Sequence, residues 1–200
     1  MFATKLFAAF TFVSFGLVAS NPVAAPDAVP VVDLMKRADN ADVMQVFQTL
    51  KASTDTILSQ IDKLTYSGTA DDFNFPPLIN KLLANIDRAA RALSMLKVSE
   101  TRKRQTDDEI ANLVAGIVKS IATTMQPLAQ LATSDRIGVS ISNSVLRRLL
   151  NDIDDSLAQA LQRLNGVLVG VLGRVANLLT DLATILRNLG LGLTIGALGL

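Results

Sequence analysis

Apolar residues recur at alternating steps of three and four along most of the chain. That spacing lays them on one face of an α-helix. Val43, Phe47, Leu50, Thr54, Ile57, Ile61 and Leu64 form the first stripe, with Asp39 and Asn40 as candidate caps. A connection from Tyr66 to Pro77 follows, punctuated by Gly68 and the Pro76-Pro77 pair. A second helix, expected over 77–98, carries Ile79, Leu82, Ile86, Ala89, Leu93 and Leu96. A third opens on Thr106-Asp107-Asp108-Glu109, a capping box in which the Thr hydroxyl and the Glu carboxylate each take a free backbone N–H. Its stripe runs through Ile110, Leu113, Ile117, Ile121, Thr124, Leu128 and Leu131, and Pro127 is expected to kink or end it. A fourth, over 144–164, sets Leu146, Leu149, Ile153, Leu157, Ala160 and Leu164 against a wet face of Arg147, Arg148, Asn151, Asp152, Asp155, Gln159 and Arg163.

The pattern changes after Asn165-Gly166. Residues 165–200 hold 11 Leu and 7 of the chain's 11 Gly, but only three charged groups, Arg174, Asp181 and Arg187. Val167 to Leu172 is apolar on every side, as in a helix that is buried or set in a non-aqueous phase. A fifth helix is expected over 167–189, ending at Gly190 as a C-cap, with an uncharged tail from Gly190 to Leu200. No strand–helix alternation appears. The expected fold is therefore all-α: a bundle of four or five antiparallel amphipathic helices with a hydrophobic C-terminal helix and a Gly/Leu-rich tail. Two roles stay open for 165–200. It is the core helix of the bundle, or it is a surface or assembly segment presenting Leu168, Leu172, Leu179, Leu186, Leu193 and Leu198. In Gly166-x-x-x-Gly170 with Gly173, small residues permit close helix contact or mark a loose break.

The N-terminus reads differently. Met1 to Ser20 has the plan of a secretory signal peptide, with Lys5 ahead of an apolar Leu6 to Val18 and small residues at Ala19 and Ser20. That apolar run is shorter than the ~20 residues a membrane span needs, so no transmembrane span is expected. Residues 21–37 carry Pro22, Pro26 and Pro30 and end in Lys36-Arg37, the layout of a propeptide with a dibasic processing site. The mature domain is then 38–200. Arg102-Lys103-Arg104 is a candidate second processing site in a polar connection.

Composition narrows the chemistry. The chain of 200 residues has no Cys, His or Trp, which removes disulfides, thiol nucleophiles, His-based triads and Cys/His metal sites. Without the 1–37 segment the acidic and basic residues balance, which favours self-association and argues against nucleic acid as a partner. Five of the eight Phe lie in the leader, leaving Phe47, Tyr66, Phe73 and Phe75 as the mature aromatics. Ser94-Met95-Leu96-Lys97 matches a short S-x-x-K pattern without its companion K-T-G. Gly138-Val139-Ser140-Ile141-Ser142 approximates a nucleophile elbow that has no His to serve it. Asp152, Asp154 and Asp155 read as a solvated helix face paired with Arg147 and Arg148 rather than a calcium loop. No enzyme, cofactor or metal is expected.

This plan of leader, polar helical first half, hydrophobic second half and no Cys resembles the cysteine-free secreted surface and aerial-hypha proteins of mushroom-forming fungi. It is more distantly similar to the hydrophobic-surface-binding protein A family. The resemblance implies a secreted, non-enzymatic structural or surface-active protein at the cell wall, the hyphal surface or another hydrophobic interface. Its partners would be hydrophobic surfaces or cell-wall matrix, with self-association. The alternative is a helical carrier that holds a lipid or other apolar ligand within the bundle.

Overall fold

The computed structural model describes residues 40–96, 104–133 and 141–200, and every regular element among them is helical. The expected signal peptide, the 21–37 propeptide and Lys36-Arg37 lie outside the described residues. Four long helices dominate: α1 (Asn40–Tyr66), α2 (Phe75–Met95), α3 (Arg104–Thr133) and α4 (Asn143–Val167). Helix α1 stops where Gly68 adopts a left-handed φ of 64°, which lets the Thr69 N–H reach the Leu64 carbonyl at 3.0 Å. Helix α2 starts two residues earlier than expected and carries both prolines in its first turn, where a missing N–H costs nothing. Helix α3 starts at Arg104, ahead of the predicted cap at Thr106, and runs past Pro127 to Thr133.

The stripes explain the packing. Val43, Phe47, Leu50, Thr54, Ile57 and Ile61 of α1 are buried, as are all but the last member of the α2 series. Helix α3 buries more than its single stripe. Ala111, Val114, Ala115, Val118, Ala122 and Met125 are inside as well, because α3 packs against α1 on one side and the C-terminal segment on another. Around the bundle the order is α3, α1, α2, α4. Helices α2 and α4 start at the same end, tied by the Ser142 N–H donating to the Asp72 carboxylate at 2.8 Å. Helices α3 and α4 make little contact with each other, and the C-terminal segment lies along both.

That segment is not one helix. Gly170, at a φ of 91°, ends the run from α4, and α5 (Val171–Leu179) follows. A 3-10 turn over Thr180–Leu182 leads into α6 (Ala183–Asn188), and α7 (Gly192–Leu198) closes the chain. The expected C-cap at Gly190 is present, with a φ of 79° and the Leu191 N–H bonded to the Leu186 carbonyl at 3.0 Å. Helix α5 lies on α3 and α7 on α4, so the segment descends one long helix and returns along the other as a hairpin.

Candidate functional surface

The hairpin is seated by burial and by one carboxylate. Leu168, Leu172, Leu179, Leu182, Leu186, Leu189, Leu191 and Leu198 all point inward and are buried. Asp154, midway along α4, is also buried, with 5% of its surface exposed. Its two oxygens accept the Leu193 N–H at 2.8 Å and the Thr194 N–H at 2.7 Å. A helix leaves its first N–H groups without internal partners, and a carboxylate there satisfies them and complements the helix dipole. Asp154 thus caps α7 from across 39 residues of sequence. Thr194 is fully buried and adds a long contact from its hydroxyl to the Asp154 carbonyl. At the other end of the hairpin, Arg174 on α5 pairs with Asp108 near the start of α3.

These facts revise two expectations. Asp152, Asp154 and Asp155 do not share a solvated face: Asp155 is exposed, Asp152 half-buried and Asp154 interior. The segment from Gly190 to Leu200, expected as an uncharged tail beyond the last helix, forms α7 and docks on α4. Of the six leucines assigned to a surface or assembly role, Leu168, Leu172, Leu179, Leu186 and Leu198 line the core, and Leu193 is 56% exposed. The seven glycines of 165–200 all lie on the outer surface. A methyl group added at any of them would meet nothing within 4 Å. Gly166, Gly170 and Gly173 therefore bring no second helix close within the chain.

Sequence reasoning missed a second apolar feature. Tyr66 and Phe73 are 88% and 89% exposed at the turn joining α1 to α2. This turn is rigidly bonded. One Asp71 carboxylate oxygen accepts the Phe73 and Asn74 N–H groups at 2.9 and 2.8 Å, and the Asn74 side-chain amide donates to the Thr69 carbonyl at 2.6 Å. The signal available was the polar run Asp71-Asp72-x-Asn74 around Phe73, next to Phe75, which is buried. Met95, Val169, Leu178 and Leu193 are the other large exposed apolar side chains among the described residues.

The remaining candidates have ordinary settings. Ser94 donates to the Arg91 carbonyl at 2.7 Å, while Lys97, Ser140 and the side chain of Arg104 lie outside the described residues. Among the described residues no three acidic or histidine side chains gather to hold a metal ion, and no helix is long and apolar enough to cross a membrane. The gap at the bundle centre, between Phe47, Ile86, Ile117 and Leu157, measures about 10 Å³, too little for more than one water. An open groove of about 340 Å³ runs between α1 and α2, past Val46, Leu50, Ala89 and Leu96.

No family model matches the sequence. The chain is 40% identical over 95 residues to Fruiting body differentiation protein 16 of the fungus Flammulina velutipes, a match covering 46% of this chain and 71% of that protein.

Proposed function

The chain belongs to the family of Fruiting body differentiation protein 16, and from that premise we propose that it is a secreted, non-enzymatic structural protein of fungal fruiting tissue, working at a hydrophobic interface of the cell wall or hyphal surface. The observation that carries this reading is the hairpin. Its helices are 9, 6 and 7 residues long, too short to persist alone in water. It keeps eight leucines on its inner side. In water, opening exposes them at roughly 1.5–3 kcal/mol each, so the hairpin stays shut. Against wax, air or alkane the leucines exchange one apolar setting for another, and most of that cost disappears. An apolar surface thereby favours the open state by its differential affinity for it. Leu193, Leu178 and Val169 already stand outside and make the first contact.

The test is adsorption of the purified protein to alkane droplets, followed by hydrogen exchange of the adsorbed layer. Protection is expected to vanish first across 171–198 and to persist in α1 and α2. A protein that stays in the water phase, or adsorbs with 171–198 fully protected, defeats the proposal. Deleting 165–200 is a poor test, because it would strip the covering from α3 and α4. The lipid-carrier alternative has less support, since the central gap is water-sized and the α1/α2 groove is open to solvent. Secretion and processing belong to the same proposal: N-terminal sequencing of the native protein should find Ala38, and a start at Asn21 would refute cleavage after Lys36-Arg37.

A further inference from the structure

We propose that the cleft between the start of α4 and the end of α6 is a binding site for a phosphate-type oxyanion. The cleft has a volume of about 420 Å³. Its wall includes two arginines, Arg147 from α4 and Arg187 from α6, together with Asn143, Asn151 and Asn188. Among the described residues no carboxylate lines it. Among the described residues neither arginine has an acidic partner.

Another arginine-bearing cleft, between α2 and α4, provides a contrast. It is lined by Arg91 and Arg163 and includes Asp87, so its positive charge has a counterion within the wall. In the α4/α6 cleft none of the described residues plays that part. Position within α4 sharpens the point. Arg147 lies one turn inside the helix start, the first turn holds no acidic residue, and Asn143 and Asn151 are its neighbours one turn away on either side. A cation near the positive end of a helix is unfavourable until an anion joins it. The chemistry of the wall suits a tetrahedral oxyanion. Arginine presents paired N–H donors that match phosphate oxygens, and the three amide side chains add neutral donors. A small phosphate monoester or the headgroup of an anionic lipid supplies the same group, and the volume admits either.

Because the readout is anion binding rather than adsorption to alkane, this inference stands or falls apart from the proposed function. The full-length purified protein is titrated with inorganic phosphate, following the arginine side-chain N–H resonances. In parallel it is floated with phosphatidylcholine vesicles, with and without phosphatidic acid. Arg147→Gln/Arg187→Gln is compared with wild type, with the single Arg187→Gln and with Arg163→Gln as the control from the other cleft. All three arginines are exposed, so thermal melts of the variants should match wild type. The expected result is phosphate- or phosphatidate-dependent binding that falls at least about tenfold in the double variant and is kept by Arg163→Gln. Binding of the free ion makes a soluble phosphate the source. Binding of phosphatidate vesicles alone makes a lipid headgroup the source. Failure to bind either probe overturns the proposal, as does equal binding by the double variant or an equal loss in Arg163→Gln.

Discussion

Asp154 is the residue on which the C-terminal hairpin can be tested most directly. Replacing it with Ala removes both acceptors from the start of α7. The Thr194 N–H is buried and would be left without a partner, a loss of about 1–3 kcal/mol. Leu193 is exposed, so its N–H can turn to water, and what remains there is the loss of a cap, about 0.5–2 kcal/mol. Together these give a destabilisation of about 1.5–5 kcal/mol, bounded above by the free energy that docks α7. Asp154→Asn keeps one carbonyl oxygen and should lose about half as much. Asp155→Ala, one position along on the exposed face, should stay within about 0.5 kcal/mol of wild type. Urea unfolding followed by circular dichroism supplies the totals, and amide exchange supplies the location. In Asp154→Ala the amides of 192–198 should exchange well before those of α1 and α2, because a helix of 7 residues without its cap opens by itself. The reasoning is refuted if Asp154→Ala and Asp155→Ala unfold at the same urea concentration, or if 192–198 remains as protected as the rest of the core.

Other outcomes follow from the same packing. Thr54 is fully buried with its hydroxyl unpartnered, so Thr54→Val should stabilise the protein by about 1–2 kcal/mol in a thermal melt. Gly196 sits inside α7 with open space around it, and Gly196→Ala should raise stability by about 0.5–1 kcal/mol. Gly190→Ala should lower it by about 1–2 kcal/mol, since its φ of 79° disfavours a side chain. Leu198→Asp places a charge in the core and should lose more than about 3 kcal/mol, whereas Leu193→Asp should leave the melt nearly unchanged and reduce adsorption to alkane.

Periodicity made the four long helices legible, because each buries a stripe and a stripe is a sequence property. It underestimated α3 for a physical reason. A helix covered on two sides buries Val114, Val118 and Met125 beside its main stripe, and which helices will cover it is decided by parts of the chain far away. The C-terminal segment shows the same limit more sharply. Its composition marked it as unusual and placed the Gly190 cap, yet the uncharged, Gly/Leu-rich stretch beyond that cap reads as a tail rather than a docked helix. What holds α7 is Asp154, a residue whose neighbours Asp152 and Asp155 made it look like part of a wet face. In a helix, consecutive positions turn by about 100°, so three acids within four residues cannot all face the same way. Ile153 and Leu157 already fixed the buried side, and Asp154 falls beside them. A carboxylate that near a core stripe needs donors, and the uncapped helix start 39 residues on, at Leu193, provides them. The glycines then have a different reading. Lying outside with free space above them, they give the hairpin little intrinsic helix strength, so its structure in water rests on its leucines and on Asp154. A segment held in that way can change partners when an apolar phase competes for the leucines, which a stiff, alanine-rich helix of equal length would resist.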